Sequence, residues 1–170
     1  LATDGDREVF EEAAEYLAKK LEEWPYLESP LPDEELSVNS RYMLPTTYGM
    51  LQWKELFNAR QKLILVVLSE TVRDVYESCL IESGRLINRT SLASEDLDSE
   101  NLARVVTAYL AIILSRSADY NSSLCSWANH GEYVGHTFVR PALQMTWDYF
   151  EVNSIGDTGG DWGAQTEWVL

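Results

Sequence analysis

A chain of 170 residues that is 45% hydrophobic and 11% aromatic can bury one core of ordinary size, which excludes an intrinsically disordered acidic tail. Its 28 acidic residues outnumber 13 basic ones and leave a net charge of −15, which opposes binding to a phosphate backbone through this chain alone. Two cysteines, Cys79 and Cys125, cannot form a disulfide framework. With no secretion signal and no transmembrane run, the expected setting is a reducing, cytoplasmic one, away from membranes. Lysine is confined to Lys19, Lys20, Lys54 and Lys62. Few lysines, many carboxylates and a full set of aromatics suit a halophile-like protein kept soluble by acidic groups in concentrated salt.

Thr3 to Glu23 has the spacing of an amphipathic helix. Thr3 or Asp4 can cap it, and Phe10, Ala13, Ala14, Leu17, Leu21 and Trp24 form one apolar stripe. Pro25 stops it. Residues 24–51, punctuated by Pro25, Pro30, Pro32 and Pro45, predict an extended connector. Its apolar residues, among them Leu31, Leu36, Tyr42, Met43 and Leu44, predict that it lies packed on the domain. Gln52 to Ser83 keeps the helical period and predicts a long helix ended by Gly84. Arg85 to Glu95 is expected to be a polar loop, and Ser94 or Ser99 can cap the helix that comes next.

The most apolar continuous run is Val105 to Leu114, inside the stretch Asn101 to Trp127. Leu102, Val105, Val106, Tyr109, Leu110, Ile113 and Leu114 recur at helical spacing, and Ala108, Ala111 and Ile112 fill most other faces. A helix apolar nearly all round is expected to be a buried central helix. Beyond it, His130 to Gly135 is rich in turn residues. Thr137 to Val152 predicts a last helix with Pro141 in its first turn. Asn153 to Gly163 is glycine-rich and irregular, and Ala164 to Leu170 suits a short strand or extended tail. The expectation is a mainly α fold, with about four helices around a buried central helix and a long proline-rich connector. Residues 1–170 form a single helical domain in this reading.

Several patterns invite a chemical reading. Cys125, His130 and His136 are spaced like neither paired cysteines nor a close histidine pair, so a structural zinc site is not expected of them. Cys125 as a nucleophile lacks any accompanying signature. Asp96, Asp98, Asp148, Glu151, Asp157 and Asp161 read as a solvated acidic face. Gly156, Gly159, Gly160 and Gly163 follow no apolar strand and precede no Lys-Ser or Lys-Thr, so they read as a loop, not a phosphate cradle. The aromatic set, with Trp53, Trp127, Trp147, Trp162 and Trp168 beside Arg60, Arg116 and Arg140, suits base stacking or an interdomain surface. The plainer reading is that most of these rings are core.

Three stretches carry more than general physics: YGMLQWKELFNARQKLILVVLSETVRD (48–74), AYLAIILSRSADYNSSLCSW (108–127) and TFVRPALQMTWDYFEVNSI (137–155), the last continued by GGDWGAQTEWV. In this order they resemble the large adenine-specific DNA methylases that contain a zinc ribbon. The likeness runs from about Leu31 onward. It departs at Pro141, where that family usually has Gln after the arginine. The resemblance implies a parent enzyme, a DNA adenine N6-methyltransferase using S-adenosylmethionine. Its zinc ribbon and glycine-rich cofactor motif would precede this region, and its Asp-Pro-Pro-Tyr motif would follow. This chain has no Pro-Pro pair, no Cys-x-x-Cys and no glycine-rich loop after a strand. The resemblance therefore makes it a non-catalytic helical domain excised from a larger methyltransferase, with no catalytic, cofactor-binding or metal residues of its own. It would act in target recognition, or as a scaffold between the cofactor and catalytic motifs. Its partners would be the rest of the parent and, through the parent, DNA. Arg41, Arg60, Gln61, Asn121, Arg140 and Asn153 are the candidate DNA or interdomain contacts, with Trp127 or Trp147 as stacking partners. The alternative is a freestanding α-helical protein-interaction domain.

Overall fold

A computed structural model describes residues 3–38, 41–90 and 99–170. Its elements are α1 (Asp4–Glu22), α2 (Ala59–Thr90), α3 (Ser99–Tyr120), β1 (Ser126–Ala128), β2 (Tyr133–Gly135) and α4 (Trp162–Val169), with 3-10 turns at Leu44–Tyr48 and Trp53–Leu56. The fold is mainly α. No helix among the described residues is long and apolar enough to cross a membrane.

Thr3 starts α1 with a reciprocal cap: its Oγ1 accepts from the Asp6 N–H at 3.3 Å, and its own N–H donates to Asp6 Oδ2 at 2.7 Å. The apolar stripe turns Leu17 into the interior against α2. The Lys20 ammonium bonds Glu70, and the Arg60 guanidinium lies over the Phe10 ring, 5.2 Å from its centroid.

The connector contains the 3-10 turn Leu44–Tyr48 and buries Leu36 and Pro45, while its Leu27, Val38, Tyr42 and Tyr48 are exposed. It is held by two isolated bridges, Glu35 with Gln52 and Met43 with Leu143. Leu36 N–H donates to Leu51 O at 2.7 Å, and Leu143 N–H to Tyr42 O at 2.7 Å. Leu36, Leu56, Leu124 and Leu143 form a buried cluster against Met43, Met50, Trp53, Phe57 and Met145. That part of the core lies under loops and the connector.

α2 begins at Ala59, not Gln52, because Phe57 is extended (φ −120°, ψ 135°) after the 3-10 turn. It also runs through Gly84 to Thr90. An interior glycine costs a helix only about 1 kcal/mol relative to alanine, so a glycine by itself does not end one. The expected loop from Arg85 is thus helical as far as Thr90. Ser94 lies outside the described residues, and Ser99 is the first residue of α3.

α3 packs on α2 and α4. The expectation of burial on nearly every side holds for one face only. Ala103, Ile113 and Ser117 are buried, whereas Leu102, Val105, Tyr109 and Ile112 are 42–54% exposed. After α3, the turn-rich segment forms a small hairpin with Trp127 opposite Val134, and Glu132 takes a positive φ of 52° in its turn.

Thr137–Val152 is not a helix. Pro141 removes a backbone donor, and Thr146, Trp147, Tyr149, Phe150 and Val152 are indifferent helix formers. Tertiary partners take the backbone instead. Leu143 pairs with the connector, Phe150 N–H donates to Cys125 O at 2.8 Å, and Thr137 N–H to Asp119 O at 2.8 Å. The C-terminal stretch is helix α4 and not a strand. Asp161 caps it, with Oδ1 accepting from Ala164 N–H at 2.7 Å and Oδ2 from Thr158 N–H at 2.9 Å. Gly160 lets this turn approach: a Cβ there would meet Val152 Cγ2 at 2.9 Å.

Candidate functional site

Asn58 and Gln61 form a reciprocal cap at the start of α2. Gln61 N–H donates to Asn58 Oδ1 at 3.0 Å, and Asn58 N–H donates to Gln61 Oε1 at 2.9 Å. This fixes the Gln61 side chain, which is 1% exposed, and leaves its Nε2 without a hydrogen-bond partner among the described residues. A buried amide donor left unpaired costs about 1–3 kcal/mol.

Asn121 leaves the end of α3 with its side chain inward. Its Nδ2 donates to Ser117 O at 2.7 Å, and its Oδ1 accepts from Ser154 Oγ at 2.8 Å. That bond fastens the strap Glu151–Ile155 across the end of the helix pair. Glu151 is held from the other side by Arg60, through Nε to Oε1 at 3.0 Å and Nη2 to Oε2 at 2.6 Å. The hydrogen-bonded Glu151 carboxylate raises the Arg60 pKa above its ordinary value, against a smaller effect of burial, so the guanidinium stays charged. Ile155 N–H donates to Asn153 Oδ1 at 3.3 Å and turns the strap back.

These groups enclose a cleft of about 420 Å³, walled by Arg60, Gln61, Ile64, Asn121 and the strap 151–155. Across the strap lies a second cleft of about 620 Å³, lined by Tyr120, Trp127, Tyr133, Phe150 and Gly159 and sharing Glu151, Val152 and Asn153 with the first. Trp127 is 44% exposed and lies 5.0 Å from Phe150 with a 34° tilt between rings. One cleft thus holds a fixed charge pair beside the buried Gln61 side chain, and the other offers partly open aromatic faces. Together they suit a planar group with acceptors on its edge.

Five of the eight candidate contacts meet here: Arg60, Gln61, Asn121, Asn153 and Trp127. The other three line neither cleft. Arg41 lies over the Tyr42 ring at 5.8 Å, Arg140 is exposed on the irregular 137–143 segment, and Trp147, 74% exposed, meets Tyr48 edge to face at 4.8 Å. Two acids read as solvated are structural: Glu151 pairs with Arg60, and Asp161, 4% exposed, caps α4. Glu151, Ser154 and Phe150 escaped the sequence reading because each acts through a partner far along the chain.

Cys125, His130 and His136 are engaged separately. Cys125 is fully buried, with Sγ donating to Asp119 O at 3.5 Å. His136 Nδ1 contacts Asp119 Oδ2 at 2.8 Å, and His130 Nε2 contacts Tyr133 at 3.4 Å. No group of three metal-ligating side chains converges among the described residues. Compared with protein-family models, curated proteins and solved structures, the chain matches none.

Proposed function

We propose that this chain is the non-catalytic helical domain of an S-adenosylmethionine-dependent adenine-specific DNA methyltransferase, and that the paired clefts at the Glu151–Ile155 strap serve target recognition. One observation supports this most. Every residue lining the first cleft belongs to one of the three stretches that resemble that family: Arg60, Gln61 and Ile64 to the first, Asn121 to the second, and residues 151–155 to the third. A likeness dispersed over more than 100 residues condenses onto one surface. The buried Gln61 Nε2 supplies a donor for a base-edge acceptor, and Trp127 and Phe150 supply faces for stacking. The cofactor and zinc belong, in this proposal, to other parts of the parent. So do the cations that hold the phosphates, since this chain carries −15.

The test is fluorescence anisotropy with labelled duplexes, one fully paired and one holding an unpaired adenine, across a salt series. Preferential binding of the unpaired-adenine duplex is expected, weakened at least fivefold by Trp127→Ala with the melting temperature unchanged. No binding of either duplex at low salt by the folded chain would contradict recognition and favour the scaffold. A second reading, a helical protein-interaction domain, is favoured by the exposed α3 stripe Leu102, Val105, Tyr109 and Ile112 together with Trp168, 77% exposed on α4.

A further inference from the structure

Four lysines serve the whole chain, and they divide into two pairs. Lys19 faces Glu23 at 3.9 Å, and Lys20 bonds Glu70 between α1 and α2. Lys54 and Lys62 are half-buried and make no ion pair or side-chain hydrogen bond among the described residues. In a chain with 28 carboxylates that is unexpected, because burial strips water from an ammonium and normally requires a partner. Burial pulls the Lys62 pKa below its ordinary value, and Glu55 opposes this only in part. The Glu55 carboxylate is already committed, accepting from the backbone N–H groups of Leu51 and of Gln52, the latter at 2.8 Å.

Both lysines line one groove of about 290 Å³ between the Pro30–Pro32 segment, the start of α2 and the end of α3. Leu31, Phe57, Leu65 and Leu114 make its walls apolar. Ala111, Ser115 and Ala118, on one face of α3, give it a low floor. A largely apolar groove lined also by two lysines without an ion pair among the described residues is complementary to an amphiphile with an anionic head.

We propose that this groove is a binding site for a small amphiphilic carboxylate, its acyl body lying between Leu31, Leu65 and Leu114 and its head between Lys54 and Lys62. The site is separate from the strap clefts and does not depend on the function proposed for them. The head supplies a direct counter-charge beyond the partial one from Glu55, and the groove buries the methylenes of the acyl chain.

Isothermal titration of the full chain with octanoate, hexanoate and octan-1-ol tests this. Octanoate is expected to bind saturably at one site. Hexanoate should bind about tenfold more weakly, two methylenes short. Octan-1-ol should also bind about tenfold more weakly, for want of a charge. Lys54→Met and Lys62→Met, which keep the apolar stem, should each weaken octanoate about tenfold with the fold retained by circular dichroism, and Lys19→Met should leave it unchanged. Absence of saturable octanoate binding, equal affinity for octan-1-ol, or full affinity in Lys62→Met would each overturn the proposal. So would binding of an acidic leucine-containing peptide where octanoate fails.

Discussion

Several side chains in this molecule close backbone ends, and two of them contribute to its response to acid. Asp6 and Glu55 have lowered pKa values because backbone N–H groups, of Thr3 for Asp6 and of Gln52 and Leu51 for Glu55, donate to their carboxylates. A carboxyl depressed in the folded state stabilises above its unfolded value, and that contribution disappears as pH falls through the folded value. Stability is therefore expected to decline below the ordinary values of 4.5 for Glu55 and 3.8 for Asp6. Thermal melts of Asp6→Asn against pH should show a shallower acid slope than the parent. Arg60 and Glu151 make a bidentate pair whose side chains are 38% and 25% exposed. A double-mutant cycle with Arg60→Ala and Glu151→Ala should return a coupling of about 1 kcal/mol, the upper end for partly exposed pairs. Lys62→Met removes a half-buried, unpartnered charge and should raise the melting temperature by about 2 °C.

Among the elements, α1 was wholly legible, because its cap, stripe, dipole charges and proline stop all agree. α2 and α3 were legible as helices but not at their ends. The 3-10 turn at Trp53–Leu56 keeps an apolar period without being α-helical, and Gly84 lacks the context that would make it a stop. Residues 137–152 carry a helical period that pairing with the connector and with Cys125 overrides. α4 has only eight residues, too few for periodicity to speak. Its one readable sign was Asp161 placed before it. Asp161→Ala should cost about 2 kcal/mol, since the side chain closes both the helix start and the preceding turn. The corresponding fall in melting temperature is about 4–8 °C.

At the scale of the whole molecule, the cleft was half legible. Its arginine, amides and one tryptophan stand out by type and by resemblance, but the strap that gathers them does not. Glu151 and Ser154 reach partners 91 and 33 residues away, a distance no local pattern records. The charge of −15 has a global consequence as well. Self-repulsion between carboxylates is screened by salt, so the melting temperature should rise by several degrees between about 0.1 M and about 2 M KCl. A flat response would contradict the halophile-like proposal.

In the proposed recognition, a base edge meets Gln61 beside the Glu151–Ile155 strap while a ring meets Trp127. Two-dimensional ¹⁵N NMR of the 170-residue chain during titration with an oligonucleotide bearing an unpaired adenine reads both groups at once. Saturable shifts of the Gln61 side-chain amide and the Trp127 indole N–H are expected, with the α1 amides unmoved. Shifts confined to other surfaces, or none at all in the folded protein, would contradict it.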